Sequence, residues 1–545
     1  MSTSTSNSMA LYGGTVITLD AKSTTTQAVL ISEGRVSFAG SDAAVLAAAP
    51  KGAAKINLEG RTAIPGMTDS HMHLHSYGFA VQRLRLNDCP SIAEMKRLVA
   101  EKAAQVPAGE WILGRGWDQD FFAEKRFATR DDLDLVAPRH PVLLTRCCGH
   151  ASVANSLALQ MAGITDATAD PPGGHIQRDA SGRATGVLID RAAALVNGKI
   201  PEPNYEQKKR ALGLAIERAL AAGLVAVHPD DIRTSGSFET SSRLYHELAA
   251  DGRAIRVYQD VSDFALTELR QGGLVTGDGD DLYKVGATKL FADGSLGALS
   301  AALREPYLGT HDNRGLTIHD QETFTQMVTE AHAAGMQVAI HAIGDRAMDN
   351  SLDAIEAALA KYPRPNHRHR IVHCQIMSED LIARFARVGV VADIQPRFLQ
   401  TDMRWAEERV GADRCRTSYA WKSLAAAGVP TAGGSDAPVE PLEPLLGIYA
   451  AVTREKVDGG PAGGWFPAEK LTAEEALRLF CLGGAYAAFE EGRRGSLETG
   501  KLGDVVVLSG NPLACDPYAI KDLKVELTVL GGRIAYSAGT VAPRA

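Results

Sequence analysis

The stretch TDSHMHLH, residues 68–75, places two histidines two residues apart. On an extended strand, side chains two positions apart project to the same face, so His71 and His73 can direct both imidazoles at one point. That is how two ligands reach one metal ion. An HxH pair alone is weak evidence, because most such pairs are strand histidines satisfied by hydrogen bonds. A metal site therefore requires further ligands later in the chain.

Four further polar residues each come at or near the end of an apolar, strand-like run: His228, His341, His373 and Asp436. In a barrel of parallel strands these ends converge on one face, where active sites are built. Histidine and carboxylate ligands from separate strands can then meet the first histidine pair. Two alternatives stay open, since His228 is as readily a satisfied polar residue and Asp436 could cap the following segment.

Lys289 lies in the run YKVGATKLFADG and shares its strand face with Val285, Ala287 and Phe291. This pattern predicts that the lysine points into an apolar or ligand-lined interior. Burying an ammonium is costly and favours the neutral amine, which can react with carbon dioxide to give a carbamate. A carbamate is carboxylate-like and can bridge two cations. That conversion is general amine chemistry, and the alternative is an exposed strand lysine.

Regular alternation of helix and strand begins near Tyr205. Helices are predicted over residues 205–223, 321–334, 345–361, 378–388 and 418–427, each followed by an apolar strand. Most of these helices end at a glycine, which can adopt the left-handed conformation that stops a helix. Such repetition predicts an α/β protein with a parallel sheet, and the number of units favours a TIM-like (β/α)₈ barrel over an open sheet.

The two ends of the chain are rich in short strand-like runs. We expect residues 1–63 and 500–545 to form one small β-sandwich, because chain ends commonly meet in space. The barrel then occupies residues 64–499. Residues 76–203 have a mixed pattern and are expected to form an insertion after the first barrel strand, placed as a lid over the site.

Composition narrows the class of protein. The 545 residues are 45% hydrophobic and 22% charged with a net charge of −8, which is typical of a globular protein and excludes an obvious nucleic-acid partner. No secretory signal is visible and no apolar run reaches the roughly 18 residues that cross a bilayer. The seven cysteines show no CxxC pair, which predicts reduced thiols and a cytoplasmic location. HExxH, GxSxG and Walker A motifs were not found, so a serine hydrolase is disfavoured.

Several segments together resemble one family. The HMH pair after Gly-Met-Thr-Asp, KLFADGSLGA, HAIGD, RIVHCQ and GGSDAPVEPLEP are similar to the amidohydrolase superfamily, and specifically to its YtcJ-like branch, amidohydrolase family 3. The similarity also covers GRGWD and the run GGHIQRDASGRATGVL, so it extends over nearly the whole chain. It implies a TIM-like barrel carrying two divalent metal ions, with a β-sandwich built from both termini.

The resemblance also implies roles for individual residues. His71 and His73 correspond to first-strand ligands, Lys289 to a carboxylated lysine that bridges two metal ions, and His341 and His373 to ligands of the second metal. Asp436 corresponds to the last-strand ligand and proton shuttle. The family often has an acidic residue directly before the histidine at 373, where this chain has Val372.

The implied function is hydrolysis of a C–N bond in an amide, an N-substituted formamide or a carbamate-like compound by a metal-activated hydroxide. Zinc suits the ligand set, although manganese, iron or nickel would fit it as well. The alternatives are a deaminase or esterase on the same binuclear site, or a non-catalytic binding homologue. We expect a small-molecule substrate and a homo-oligomer, specifically a dimer, with no nucleic-acid or membrane partner. Substrate contacts are predicted at Trp117, Asp118, His150, His228, Asp293 and Arg397.

Overall fold

The computed structural model of the chain describes residues 8–87 and 89–541. Residues 1–7 and 542–545 of the predicted sandwich, and Asp88 of the predicted insertion, lie outside the described residues. The chain divides into two compact units. The first comprises Met1–Tyr77 and Leu212–Ala545, and the second comprises Gly78–Ala211.

The strands, in chain order, are β1 (Ser8–Tyr12), β2 (Thr15–Ile17), β3 (Thr25–Thr26), β4 (Ala28–Ser32), β5 (Arg35–Gly40), β6 (Ala54–Asn57), β7 (Thr62–Pro65), β8 (Met67–Met72), β9 (Leu84–Arg85), β10 (Ile112–Trp117), β11 (Val142–Arg146) and β12 (Ala151–Ala154). They continue with β13 (Gly174–Arg178), β14 (Ala184–Asp190), β15 (Leu224–Pro229), β16 (Arg256–Ser262), β17 (Tyr283–Phe291), β18 (Val338–Ala342), β19 (Arg370–His373), β20 (Val391–Ile394), β21 (Thr431–Gly433), β22 (Val505–Leu508), β23 (Val525–Leu530) and β24 (Arg533–Ser537).

The α-helices are α1 (Asp42–Ala48), α2 (Leu74–Gln82), α3 (Ile92–Gln105), α4 (Arg130–Asp134), α5 (Ser156–Met161), α6 (Ala192–Asn197), α7 (Tyr205–Ala221), α8 (Ile232–Ser235), α9 (Phe238–Ala250) and α10 (Leu266–Gln271). They continue with α11 (Gln321–Ala333), α12 (Asp345–Lys361), α13 (Glu379–Val388), α14 (Phe398–Asp402), α15 (Ala406–Val410), α16 (Ala412–Cys415), α17 (Trp421–Ala426), α18 (Pro444–Thr453), α19 (Ala473–Arg478) and α20 (Gly484–Ala487).

Eight parallel strands form the central sheet, in the order β8, β15, β16, β17, β18, β19, β20 and β21. The two outer strands meet at their C-terminal ends. The Asp436 backbone N–H donates to the His71 carbonyl at 2.8 Å, and the His73 N–H donates to the Ala437 carbonyl at 2.8 Å. The sheet is therefore a nearly closed barrel, which confirms the predicted TIM-like α/β fold.

Packing inside the barrel follows from side-chain size. Ala287, Ala339 and Val372, from three neighbouring strands, form one fully buried apolar cluster. These small apolar side chains fill the barrel interior, and the polar residues lie beyond them at the C-terminal ends of the strands. The predicted helices end within two residues of their predicted ends, although α17 begins at Trp421 and not at Ser418. Gly389 closes α13 with a φ of 80°, a conformation that glycine adopts without a side-chain clash.

Strands from both ends of the chain form two further sheets, one with the order β5-β4-β1-β6 and one with the order β24-β23-β22-β7-β2-β3. Residues of both sheets share one hydrophobic core, which includes Leu11, Val29, Val505 and Leu527. The antiparallel pairing of β7 with β22 joins the N-terminal and C-terminal parts of the chain. The fold thus has the expected small sheet domain beside the barrel, and β7 extends it to Pro65.

The unit Gly78–Ala211 contains a mixed sheet in the order β13-β14-β12-β11-β10-β9. Its two sides are covered by two separate clusters of buried apolar residues, one around Trp117 and Phe122 and one around Leu143 and Ile176. The unit therefore has its own core. Its role as a lid stays a prediction.

Among the described residues, no helix is both long enough and apolar enough to span a membrane, and the cysteines are free thiols.

Candidate metal centre

Strand β8 positions the first histidine pair. His71 lies near the end of the strand and is buried, and His73 follows the strand directly. The Nε2 atom of His73 lies 3.2 Å from Oδ1 of Asp436, and its Nδ1 lies 3.0 Å from the Asp230 carbonyl oxygen. Nδ1–H therefore donates to the carbonyl, and Nε2 faces the carboxylate. The Nε2 atom of His71 lies 3.6 Å from the same carboxylate oxygen.

His373 and Asp436 reach this point from the ends of β19 and β21. Ligand atoms of His71, His373 and Asp436 all lie within 4.8 Å of one another, and all three residues are buried. His373 has a φ of 83° and Asp436 a φ of 58°. Residues other than glycine seldom adopt this left-handed region, and such strain concentrates at functional sites. The left-handed backbone at these two positions brings both side chains close to His71 at the C-terminal ends of the barrel strands.

His341, at the end of β18, stands beside this trio. Its ring centroid lies 4.5 Å from that of His373. Its Nε2 lies 2.9 Å from the Gly294 carbonyl oxygen and 3.5 Å from Oδ1 of Asp293. Nε2–H therefore donates to the carbonyl, and the remaining nitrogen, Nδ1, is the atom available as a ligand.

Lys289 is buried on β17, as its strand face predicts. Its Nζ lies 3.2 Å from Nε2 of His71 and 4.5 Å from the ring centroid of Phe291. Within the described part of the chain, no carboxylate lies within 4.0 Å of this amine. A lysine buried beside a histidine and without an ion pair is an unfavourable arrangement that calls for another charged group.

Electrostatics separate the four histidines. Burial lowers the pKa of His71 and His341 well below the ordinary value, and it lowers the pKa of His373 to about 4. Burial also acts against a charged His73, but the facing Asp436 carboxylate outweighs it and raises the pKa to about 9. Burial alone would raise the pKa of Asp436, yet the nearby imidazole of His73 holds it below the usual range. His71, His341 and His373 are thus neutral, and His73 forms an ion pair with Asp436.

The donor set fits a divalent cation. Oδ1 of Asp436 is buried and has no hydrogen-bond partner among the described residues, although two imidazoles face it. A buried carboxylate oxygen that faces two imidazoles without a hydrogen bond to either is a position that a metal cation would fill. Neutral imidazole nitrogens with carboxylate oxygens are ligands that zinc and other first-row metal ions accept.

Three of the predicted substrate contacts belong to the same unit as this cluster. His228 is buried on β15 against the ring of Tyr258, with a centroid distance of 5.1 Å. Asp293 is buried and accepts the backbone N–H groups of Ala302, Ile343 and Gly344, so it ties loops together beside His341. Arg397 lies 3.4 Å from a carboxylate oxygen of Glu440.

The other three lie in the unit Gly78–Ala211. Trp117 is fully buried in that unit's core, where its Nε1–H donates to the Leu144 carbonyl at 2.9 Å. This is the position of a core aromatic residue. Asp118 forms an ion pair with Arg146 at 2.7 Å, and His150 is exposed and lies 2.9 Å from a carboxylate oxygen of Asp190. Their roles as substrate contacts stay predictions.

Sequence reasoning missed a buried polar layer next to the cluster. Arg370 is fully buried and contacts Asp260 at 2.9 Å and Asp393 at 2.8 Å. Burial raises the pKa of Asp260 to about 7, against the effect of Arg370. Gln395 accepts from Nδ1 of His373 at 2.7 Å. The sequence indicates this layer only through charged residues within strands, namely Asp260, Arg370 and Asp393. Their contacts depend on the strand order, which the sequence does not give.

Comparison with known proteins gives consistent results. A sequence profile described as "Amidohydrolase family" matches residues 54–536. The chain is 36% identical over 529 residues to a putative amidohydrolase, YtcJ, of Bacillus subtilis (strain 168), which covers 96% of this chain and 98% of that protein. It is 29% identical over 545 residues to an N-substituted formamide deformylase of Arthrobacter pascens, covering 97% and 98% of the two chains. A crystal structure of an uncharacterized metal-dependent hydrolase from Pyrococcus furiosus superposes with a TM-score of 0.75 at 29% identity, covering 93% of this chain and 100% of that chain.

Proposed function

The chain belongs to the amidohydrolase family, and from that premise we propose that it is a binuclear metal-dependent hydrolase of C–N bonds. The proposed substrates are small amides, N-substituted formamides or carbamate-like compounds. The observation that carries the proposal is the buried trio of His71, His373 and Asp436, whose ligand atoms lie within 4.8 Å of one another around a carboxylate oxygen without a hydrogen bond.

Six residues would hold the metal ions. His71, His73 and Asp436 would bind the first ion, and His341 and His373 the second, with a carbamate on Lys289 between them. The carbamate would form when the neutral amine of Lys289 adds carbon dioxide and loses one proton, which gives an anionic ligand in place of the amine. When bound, two divalent ions would lower the pKa of a water molecule and polarise the scissile carbonyl group.

Asp436 supplies the proton chemistry of the proposed reaction. Its Oδ1 lies 3.2 Å from His73 and 3.6 Å from His71, so a water molecule close to these imidazoles is within reach of the carboxylate. The carboxylate would accept the proton of that water and return it to the leaving nitrogen. Since His73 raises the acidity of Asp436, the carboxylate is ionised at neutral pH and ready to accept.

The choice of a C–N bond is supported by the relative from Arthrobacter pascens, which is named for deformylation of N-substituted formamides and matches nearly the whole chain. A deaminase or esterase would use the same metal centre with different pocket contacts. A non-catalytic homologue is disfavoured because all six ligand positions carry residues that bind metal ions.

The deciding experiment is a substrate panel assayed with protein purified without chelators. N-formyl, N-acyl and carbamate compounds are compared with esters and with aminated heterocycles, and released amine is measured separately from ammonia. We expect amine from N-substituted compounds and at least one bound equivalent of metal per chain. Ammonia from ring amino groups alone would establish the deaminase, and less than one equivalent of metal would refute the metal centre.

A second experiment addresses the carbamate. Protein incubated with ¹³C-labelled bicarbonate and zinc is expected to show a carbamate signal in its ¹³C NMR spectrum, and Lys289→Met should lack it. Short-chain carboxylic acids should restore part of the activity of Lys289→Ala, since a bound carboxylate replaces the missing bridge. An unchanged metal content in Lys289→Ala would contradict the bridging role.

A further inference from the structure

We propose that Asp260 is the positioning residue that orients His71 for binding a metal ion through Nε2, and that Arg370 holds Asp260 in place. The inference rests on the proposed function, because His71 is one of the ligands named there. It concerns a residue that no motif of the sequence singled out.

The contacts of His71 assign the proton of its neutral ring. Nε2 lies 3.2 Å from the Nζ atom of Lys289. A lysine ammonium has donors but no lone pair, so Nε2 accepts the hydrogen bond and the ring proton resides on Nδ1. The lone pair that a metal ion requires is therefore already on Nε2, and the orientation of the ring depends on what Nδ1–H meets.

Nδ1 of His71 faces Asp260. The distance from Nδ1 to Oδ2 of Asp260 is 3.9 Å. Both atoms are buried, and neither has a hydrogen-bond partner among the described residues. The distance is too long for a hydrogen bond, but closure by about 1 Å would satisfy a buried donor and a buried acceptor at once. Two mutually facing unsatisfied atoms indicate a contact that forms when the ring moves.

The other oxygen of Asp260 is fixed. Oδ1 accepts from Nη1 of Arg370 at 2.9 Å and from the Ala287 backbone N–H at 3.3 Å. Arg370 also contacts Asp393 at 2.8 Å, and the side chains of all three charged residues are fully buried. Oδ1 of Asp260 is therefore fixed by Arg370 and by the Ala287 N–H. Oδ2 remains available to accept a hydrogen bond from Nδ1–H of His71.

Charge balance points to the same conclusion. The carboxyl groups of Asp260 and Asp393 share the single guanidinium of Arg370 in the barrel interior. A negative charge behind a histidine strengthens that histidine as a metal ligand, and metal-bound histidines generally donate their other ring N–H to such a group. Lys289 supplies a nearby positive charge in the absence of metal, and a divalent cation would supply more.

The test compares wild-type protein with Asp260→Asn, which keeps the side-chain shape but removes the charge. Asp504→Asn is the matched control, because Asp504 is also buried and pairs with an arginine, Arg256, at 2.7 Å in the same unit, away from His71. The zinc dissociation constant is measured by competition with a chromophoric chelator. We expect about a 10- to 100-fold weaker constant in Asp260→Asn, the range for such outer residues, and less than threefold change in the control.

A spectroscopic measurement separates positioning from general stability. In zinc-loaded wild-type protein, we expect a downfield ¹H NMR resonance of the His71 Nδ1–H, assigned by its loss in His71→Ala, and its absence or upfield shift in Asp260→Asn. Wild-type zinc affinity in Asp260→Asn, or equal weakening in both aspartate variants, would overturn the inference. If Asp260→Asn does not fold, the wild-type resonance alone decides. Failure of wild-type protein to bind any divalent ion would instead refute the proposed function.

Discussion

At the scale of single residues, Asp436 has the most demanding position. It combines a left-handed backbone, a buried carboxylate and contacts to two histidines. We predict that Asp436→Asn lowers kcat/KM by about 10³-fold, because it removes both an anionic ligand and the proposed proton acceptor. Asp402→Asn is the control, since Asp402 is a buried carboxylate held by the Tyr419 hydroxyl at 2.7 Å. Equal losses in the two variants would contradict a special role for Asp436.

Trp117, in the GRGWD motif, either packs in the core of its unit or contacts substrate, and a substitution distinguishes the two roles. Its ring stacks on Phe122 at 6.2 Å and meets Phe127 edge-on at 5.6 Å, in the core of its unit. We predict that Trp117→Ala lowers the free energy of unfolding of that unit by about 3–5 kcal/mol through lost packing, and that Trp117→Phe costs less. Denaturant unfolding measures the loss. A raised KM with unchanged stability would show that the residue contacts substrate instead.

Residue types and spacing were enough to predict that His71, His73, His228, His341, His373 and Asp436 converge at the strand ends. The family resemblance then added Lys289 to the predicted ligands and left His228 out of them. Each of these residues closes an apolar run or shares a face with apolar neighbours, so its position is visible locally. Asp260 and Arg370 could not be predicted in this way. Asp260 and Arg370 lie 110 positions apart in the chain, and only the strand order reveals that they form a pair.

At the scale of secondary-structure elements, the junction of β21 with β8 depends on Gly434. A Cβ atom at this position would lie 2.7 Å from the His71 nitrogen and 2.8 Å from Oδ1 of Asp69. We predict that Gly434→Ala displaces β8, lowers the thermal unfolding temperature and weakens zinc binding, because His71 lies on the displaced strand. Gly492→Ala is the control, since its Cβ would meet no atom within 4 Å. An unchanged zinc affinity in Gly434→Ala would contradict this coupling.

Hydrogen bonds connect three histidines into a chain: His332 in α11, and His367 and His369 just before β19. Nε2 of His369 lies 2.9 Å from Nδ1 of His332, Val338 N–H donates to Nδ1 of His369 at 3.0 Å, and His369 N–H donates to Nδ1 of His367 at 2.9 Å. Nδ1 of each ring thus serves as an acceptor. Burial lowers the pKa of all three rings below the ordinary value.

This chain predicts a pH-dependent stability. Below a pH of about 6.5 the unfolded chain takes up protons on these histidines while the folded chain does not, so the contribution of these histidines to the free energy of unfolding should fall as pH falls from about 6.5 to 5. We expect His369→Gln to flatten this dependence in thermal unfolding measured at several pH values. His246→Gln is the control, because Asp280 raises the pKa of His246 and its effect has the opposite sign. An unaltered slope in His369→Gln would contradict the prediction.

Helices with strong local signals were predicted well, as α12, Asp345–Lys361, shows, because its apolar spacing and its boundaries are encoded in the segment itself. The first barrel strand was less predictable at its end. Residues 68–75 suggested a strand throughout, but β8 ends at Met72 and α2 begins at Leu74. His75 therefore lies in a helix, with its Nδ1 3.0 Å from the Ser235 hydroxyl, because tertiary contacts stop the strand.

At the scale of the whole molecule, the two compact units should respond differently to metal removal. All six proposed ligands belong to the unit formed by residues 8–77 and 212–541, whereas Gly78–Ala211 has its own core and none of them. We predict two calorimetric transitions, of which a chelator lowers only one. Zinc at 100 times its dissociation constant should stabilise that unit by about 2.7 kcal/mol. A single transition, or equal shifts of both, would contradict the prediction.

The homodimer and the cytoplasmic location stay predictions. Analytical ultracentrifugation would measure the first, and cell fractionation the second.

The contact between β8 and the segment after β21 has a consequence for biosynthesis. The Ser435 hydroxyl donates to Asp69, and these two residues are 366 positions apart in the chain. At an elongation rate of about 5–20 residues per second, the ribosome needs about 20 to 70 s to add that length of chain. Throughout this interval the nascent polypeptide exposes the HMH pair without Asp436. Prematurely terminated products that end before Asp436 would therefore lack the complete proposed ligand set, and we expect metal binding only after Asp436 has been added to the chain.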